Sequence, residues 1–339
     1  MKCAKMLFIG DLHFKVKNVE YVHLFTSKIT AIADSTADLD FVLIAGDLLD
    51  NHDKIDVEPL NLALQLIHFL SQKHKTFVLV GNHDYKNNQQ FLSNKHWMNA
   101  LKRWSNVSIV DSVVEHEASG VRFLFVPYVP PGRFKEALET RISLEEILRF
   151  KAVFAHQEFY GCKMGPIQSK HGDKWDDKWP LVISGHIHDK QWSQQNIYYP
   201  GSAMQHAFGQ SSENTVSVIT WTDDEMQYEE IDLGMPKLTI KYINIDDIMK
   251  PLKFKNKQFR KYKIVLRGTQ EEFKVFKKNS RYKQLLDEGF KITFKTNVVV
   301  PFGRPGGLIE PKKKFIEVLQ EKIKNEKDPQ LEQIYHSFV

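Results

Sequence analysis

Short apolar runs alternate with polar bursts along this chain, and five of the runs end alike. They read MLFIG before Asp11-Leu12-His13, FVLIAG before Asp47, TFVLVG before Asn82-His83-Asp84, AVFA before His156, and LVISG before His186-Ile187-His188. Continuous apolar runs of this length, punctuated by glycine, predict buried strands. Between them the apolar spacing turns helical. Tyr21, Leu24, Phe25, Ile29 and Ile32 follow the first burst. Leu60, Leu62, Leu64, Leu66, Ile67 and Leu70 follow the second and stop at Ser71-Gln72-Lys73. Phe91, Trp97, Met98, Leu101 and Trp104 predict a third helix. The rhythm is that of βαβ units. Further β-like runs at 107–110, 121–129 and 215–221 add a second sheet. Residues 1–235 are therefore expected to form two packed β-sheets flanked by helices.

Beyond Pro236 the pattern changes. KYKIVLR at 261–267 and KITFKT at 291–296 read as strands. Thr269 and Glu272 form a capping box opening a helix that carries Phe273, Phe276, Tyr282, Leu285 and Leu286 and stops at Gly289. Residues 236–300 are thus expected to form a small α/β domain of β-α-β type. Residues 301–311 are rich in proline and glycine and read as a linker. Phe315, Val318, Leu319 and Ile323 line one face of a tail helix within 301–339.

Charge separates the two parts. The net value of +5 combines 23 Lys/Arg against 30 Asp/Glu in residues 1–235 with 24 against 12 in residues 236–339. A basic second part suits a polyanion; lysines guarding sheet edges are the competing explanation. KFKNKQFRKYK at 253–263 interleaves lysine and arginine with aromatics, a composition suited to phosphates and unpaired bases. The only two cysteines, Cys3 and Cys162, show no thiolate-site or disulfide spacing. No apolar run approaches the roughly 20 residues of a membrane span, and MLFIG is too short for a signal-peptide core. The expectation is an intracellular protein, cytoplasmic or nuclear, without a membrane partner.

The chemistry lies in the bursts. In open sheets of this kind, sites gather beyond the carboxyl ends of the strands. Five strands releasing Asp, Asn and His at one edge can build a single cluster of oxygen and imidazole ligands. That is what a two-metal hydrolase requires, and such a donor set suits borderline cations such as Mn²⁺, Fe²⁺ or Zn²⁺ better than Ca²⁺. Two cations about 3.5–4 Å apart activate a hydroxide and neutralise the phosphate.

The series GDLHF, GDLLD, GNHD, AHQ and GHIH resembles the calcineurin-like metallophosphoesterase superfamily across residues 6–188. The resemblance implies a four-layer sandwich with a small C-terminal capping domain. It implies a first metal held by Asp11, His13, Asp47 and His188, and a second held by Asp47, Asn82, His156 and His186. Asp47 would bridge the two ions. His83 would stabilise or protonate the leaving oxygen, and Asp84 would orient its surroundings instead of binding metal. GDLLDNH and GNHD lack the arginine of the serine/threonine phosphatase pattern. With YPGSAMQHAFG at 199–209 they resemble the SbcD-type nuclease subunits of DNA double-strand-break repair. That narrower resemblance implies a metal-dependent DNA exo/endonuclease using Mn²⁺, as a homodimer, with an SbcC-like SMC-type ATPase partner. No G-x-x-x-x-G-K-[ST] occurs here, so any ATP-driven step belongs to a partner. The alternative is a small-molecule phosphodiesterase or phosphatase of the same superfamily. His52 and His206 lie in segments that can reach the cleft. The insertion GCKMGPIQSKHGDKWDDKWP at 161–180 has no counterpart in the resemblance. Its lysines and Trp175 and Trp179 are a candidate second contact loop.

Overall fold

Each apolar run before a burst is a strand whose alternate residues are buried against different layers. Met6 and Phe8, Phe41 and Leu43, and Phe77 and Leu79 point into one core, while Leu7 and Ile9, Val42 and Ile44, and Val78 and Val80 point into another. Burial on both faces is why these runs are continuously apolar and not alternating. The computed structural model describes residues 3–52, 54–222, 225–254 and 260–296, together with Ile323.

Two six-stranded mixed sheets result. The first has the order β14 (Met226–Ile231), β13 (Val216–Trp221), β1 (Ala4–Ile9), β2 (Phe41–Ile44), β3 (Lys75–Leu79), β4 (Val107–Val110). The second has the order β11 (Gln191–Gln194), β12 (Ile197–Tyr199), β10 (Leu181–Gly185), β7 (Ala152–His156), β6 (Val121–Val126), β5 (Val114–Ala118). Strands β1 to β4 run parallel, as do β6, β7, β10 and β12. The sheets face each other across an aromatic core, in which Phe77 stacks on Phe125 at 4.4 Å and Trp221 meets Phe123 at 4.9 Å. Helices α1 (Val19–Ser35) and α2 (Val57–Ser71) cover the outer face of the first sheet. The shorter α3 (Phe134–Glu139) covers the second. This is the expected four-layer sandwich.

Three local expectations need correction. Residues 91–104 form no α-helix. Trp97–Arg103 is a 3-10 turn, because the Trp97 indole donates to Asp84 Oδ1 (3.0 Å) and the His96 side chain accepts from the Met98 amide. The helix expected to run from Thr269 to Gly289 is two, α4 (Gln270–Phe276) and α5 (Ser280–Asp287), since Asn279 turns its side chain onto the Arg281 amide and caps a new start. Trp175 of the insertion is core and not contact surface, while Trp179 is half-buried. Trp175 is buried, donates to the Pro180 carbonyl and packs on Phe134, Phe159 and Trp179. Asp173 anchors the same segment by accepting from the Gly132 and Phe134 amides and from Gln157. A small hairpin of the insertion is exposed, β8 (Lys163–Met164) and β9 (Ile167–Gln168), as are Lys170, Lys174 and Lys178.

The chain divides into compact units at Met1–Lys295 and Thr296–Val339. The first unit also contains the β-α-β module. Its strands β15 (Lys237–Asn244), β16 (Arg260–Gly268) and β17 (Lys291–Thr296) form one sheet, with β15 parallel to β16. β15 adds a strand to the two expected for this module. Tyr262, Ile264 and Leu266 pack on Phe273, Phe276 and Leu285 of the two helices. Alternate residues of β16, Lys261 and Lys263, join Lys291 of β17 in lining a cleft toward the large sheets. Lys255–Phe259, the linker at 301–311 and the tail-helix residues Phe315, Val318 and Leu319 lie outside the described residues. Cys3 and Cys162 are not disulfide-bonded. Among the described residues, no helix is long and apolar enough to cross a membrane.

Candidate metal centre

The five bursts converge because their strands are parallel within each sheet and end at the same edge of the sandwich. The first sheet supplies Asp11 and His13 after β1, Asp47 after β2 and Asn82 after β3. The second supplies His156 at the end of β7 and His186 and His188 after β10. The turns are tight. His13, Asp47 and His186 have φ of 44°, 50° and 78°, a left-handed backbone that non-glycine residues adopt at a cost of about 1–3 kcal/mol each. The glycine before a burst has a packing role. A Cβ on Gly46 would lie 2.4 Å from His156 Nδ1, and one on Gly81 would lie 2.2 Å from Asp47 Oδ1.

Asp47 sits at the middle. Its Oδ1 accepts from the His83 amide at 2.8 Å and lies 3.4 Å from His156 Nε2, while its Oδ2 lies 3.5 Å from His13 Nε2. Burial would raise its pKa, yet His156, His13 and His83 hold it well below the usual carboxylate range. Asn82 Oδ1 lies 3.1 Å from His156 Nε2 and 2.9 Å from His186 Nδ1. His13 Nε2 and His188 Nε2 face each other at 3.1 Å. His156 donates from Nδ1 to the Ala45 carbonyl (2.7 Å), which aims Nε2 at the cluster. Burial alone would lower the His156 pKa, but the Asp47 and Asp11 carboxylates and the Ala45 carbonyl hold it up at about 9. His186 goes the other way: burial and the neighbouring His156 push it down to about 4.

Two carboxylate–imidazole groups span the two sheets, Asp11 with His13 and His188, and Asp47 with His156 and His186, and a third, His13 with Asp47 and His83, lies on the first sheet alone; each could hold a divalent cation. Asp11 Oδ2 is buried with no hydrogen-bond partner among the described residues, as a metal-ligand oxygen would be. Facing imidazole nitrogens and an amide oxygen between two rings are likewise arrangements that a cation satisfies. The donor set fits.

All seven expected ligands are therefore brought together. His83 also approaches His13 and Asp47, but its Nδ1 donates to the Asp50 carbonyl at 2.7 Å and His52 stacks on its ring at 4.7 Å. Asp84 ties the loops together, accepting from Gly81 and from Trp97 at 3.0 Å, with burial and the Asp47 charge raising its pKa to about 6. His206 packs edge-on against His13 and His188 and donates to the Asp11 carbonyl. Sequence reasoning missed two contributors. Asp50 reaches His13 Nδ1 at 3.3 Å and pairs with Lys15. Gln210 donates to His188 Nδ1 at 2.9 Å, its own Oε1 held by the amides of His206 and Ala207. Asp50 was visible as the last residue of GDLLD, whereas nothing in the local spelling marks Gln210.

A family model for the calcineurin-like phosphoesterases matches residues 4–190. The chain belongs to that family. Its members are divalent-metal phosphoester hydrolases, and the matched span contains every ligand candidate of the cluster. The chain is 55 % identical over 337 residues to "Putative phosphoesterase 078R" of Invertebrate iridescent virus 3, covering 99 % of this chain and 96 % of that protein. It is 46 % identical over 284 residues to "Putative phosphoesterase 244L" of Invertebrate iridescent virus 6, covering 82 % of this chain and 99 % of that one. In this phosphoesterase, Gln210→Ala is expected to tighten divalent-metal binding by about tenfold while leaving the fold intact, because an amide N–H donating to His188 Nδ1 keeps the ring's own proton on Nε2, the atom that faces His13, and its removal lets that proton move to Nδ1. Calorimetric titration with Mn²⁺ measures the effect.

Proposed function

We propose that this phosphoesterase is a nuclease that hydrolyses DNA phosphodiesters at a two-metal centre, in end processing during repair or recombination. One observation supports DNA over a small substrate. A cavity of about 490 Å³ opens beside the cluster, sharing Asp50 and His206 with it and lined by Lys15, Lys17, Lys261, Lys263 and Lys291. Lys15 pairs with Asp50 and Lys261 with Glu20, while Lys17, Lys263 and Lys291 make no ion pair among the described residues. Several lysines in one cleft are what a polyphosphate backbone selects, and more than one small phosphoester needs.

In this reading Asp11, His13, Asp47 and His188 would hold one cation, and Asp47, Asn82, His156 and His186 the other, with Mn²⁺ the proposed ion. The cations supply an activated water nucleophile and charge neutralisation of the phosphate. The protein supplies the rest. Asp47 reaches imidazoles from both groups and serves both ions. His83 commits Nδ1 to the Asp50 carbonyl, so Nε2 is the atom that can carry a proton to the leaving oxygen. Burial lowers the His83 pKa below the ordinary histidine value, with the Asp47 charge opposing it. His83→Ala is expected to slow turnover by about 10²–10⁴-fold with metal binding retained; calorimetry beside single-turnover kinetics separates the two.

The test of the function is incubation of the full chain with end-labelled single- and double-stranded DNA and with bis(4-nitrophenyl) phosphate, under Mn²⁺, Mg²⁺ or chelator. DNA cleavage dependent on Mn²⁺ is expected. Intact DNA alongside hydrolysis of the small diester would make the protein a small-molecule phosphodiesterase instead.

A further inference from the structure

A second recess, of about 270 Å³, borders the metal centre at His186 and His188. Its outer wall is the β8–β9 hairpin, through Lys163, Met164 and Gly165. Loop 204–210 contributes Met204 to Phe208 to the basic cleft, and Gly209 and Gln210 to this recess, so one loop forms a wall of both. The two differ in chemistry. The cleft is lined by five lysines, whereas the recess presents one lysine and one carboxylate, Asp189, together with the Met164 thioether and Ile187.

The hairpin is firmly rooted and its tip is exposed. Gln191 brackets its first strand, accepting from the Lys163 amide at 2.7 Å and donating to the Lys163 carbonyl at 2.8 Å. Cys162, just before it, is buried in the outer core with Trp175. Met164 and Ile167 are nonetheless 38 % and 64 % exposed at the tip. Exposed apolar side chains on an anchored turn beside a phosphoester-cleaving cluster are placed to meet a substrate. A volume just below the usual range of about 300–1,000 Å³ for small-ligand sites is too small for a duplex.

We propose that the recess between the β8–β9 hairpin and His186–Asp189 is a subsite for one unstacked nucleotide next to the scissile phosphate. Met164 contacts the base and Lys163 the adjoining phosphate. The proposal rests on the nuclease reading and extends it. The strand's phosphates follow the lysine cleft on one side of the cluster, and a single base enters the recess on the other. A paired end must then open before it is cut, so unpaired or mismatched ends are favoured.

The test is calorimetric binding of adenosine 5′-monophosphate and, separately, of inorganic phosphate to the full chain loaded with Mn²⁺. The wild type is expected to bind the nucleotide about tenfold more tightly than phosphate, and Met164→Asp to abolish that advantage while Met164→Leu keeps it. Phosphate affinity should be equal in all three. Met164 is exposed, so these variants leave the core untouched. Nucleotide binding no tighter than phosphate, or unaltered by Met164→Asp, overturns the subsite. Because this readout needs no DNA cleavage, it is distinct from failure of the nuclease reading, which shows as uncut oligonucleotides.

Discussion

Asp47→Asn is expected to lower phosphodiester turnover by on the order of 10⁴-fold, about 5.5 kcal/mol of barrier. The effect is large because one carboxylate serves both halves of the cluster, with one oxygen beside His156 and the other beside His13. An amide of the same shape keeps the acceptor for the His83 amide, so the loop holds while the charge is lost. Turnover within tenfold of wild type would overturn the bridging role proposed for Asp47. A pH signature accompanies the substitution. In chelator, His186, lowered to about 4 from an unfolded value near 6.5, binds its proton more weakly when folded, so stability rises with pH across that window. His156, raised to about 9, binds its proton more tightly when folded, so its contribution is complete below about 6.5 and is lost as pH rises toward 9. The alkaline limb should therefore fall from about pH 6.5 to 9, whereas the acid limb of His186 is opposed by Asp84, whose carboxyl, raised to about 6, loses its contribution as pH rises toward 6. Asp47→Asn should flatten the alkaline limb, because the charge that holds His156 up is gone. Denaturant titrations across pH 4–9 measure both limbs.

The double substitution Lys263→Glu with Lys291→Glu is expected to weaken DNA binding by about two orders of magnitude at low salt. It should also flatten the slope of log affinity against log salt by about 2, one unit for each lost phosphate contact. Both lysines lie on the cleft face of the module and neither touches the metal ligands. Turnover of a small diester should be unchanged. An unaltered salt slope would mean that DNA does not lie in the cleft, and the small-molecule alternative would gain accordingly.

The catalytic edge was legible because its signals are local. Each burst follows a strand buried on both faces, so the apolar run gives the strand's end and the next residues must occupy the sheet edge. What lay hidden depends on distant partners. Strand β15 is the exception, since Leu238, Ile240 and Tyr242 alternate with polar residues and its period is local. Trp97 reads as a helical residue until Asp84 claims its indole. Trp175 and Trp179, spaced among lysines, read as a contact surface, yet Asp173 ties their segment to the amides at the start of α3 and one tryptophan becomes core. The hydrogen bond of Gln210 to His188 spans 22 positions and leaves no trace in the spelling around it.

The division of ligands between the sheets has a mechanical side. Asp11, His13, Asp47 and Asn82 belong to one sheet and His156, His186 and His188 to the other, so a cation bound to either of the two spanning groups would act as a rivet across the seam of the sandwich. The melting temperature should climb with metal concentration, since the unfolded chain presents no such clasp. Amides at the carboxyl ends of β2 and β7 should gain more protection from hydrogen exchange than those at the opposite end of the same strands.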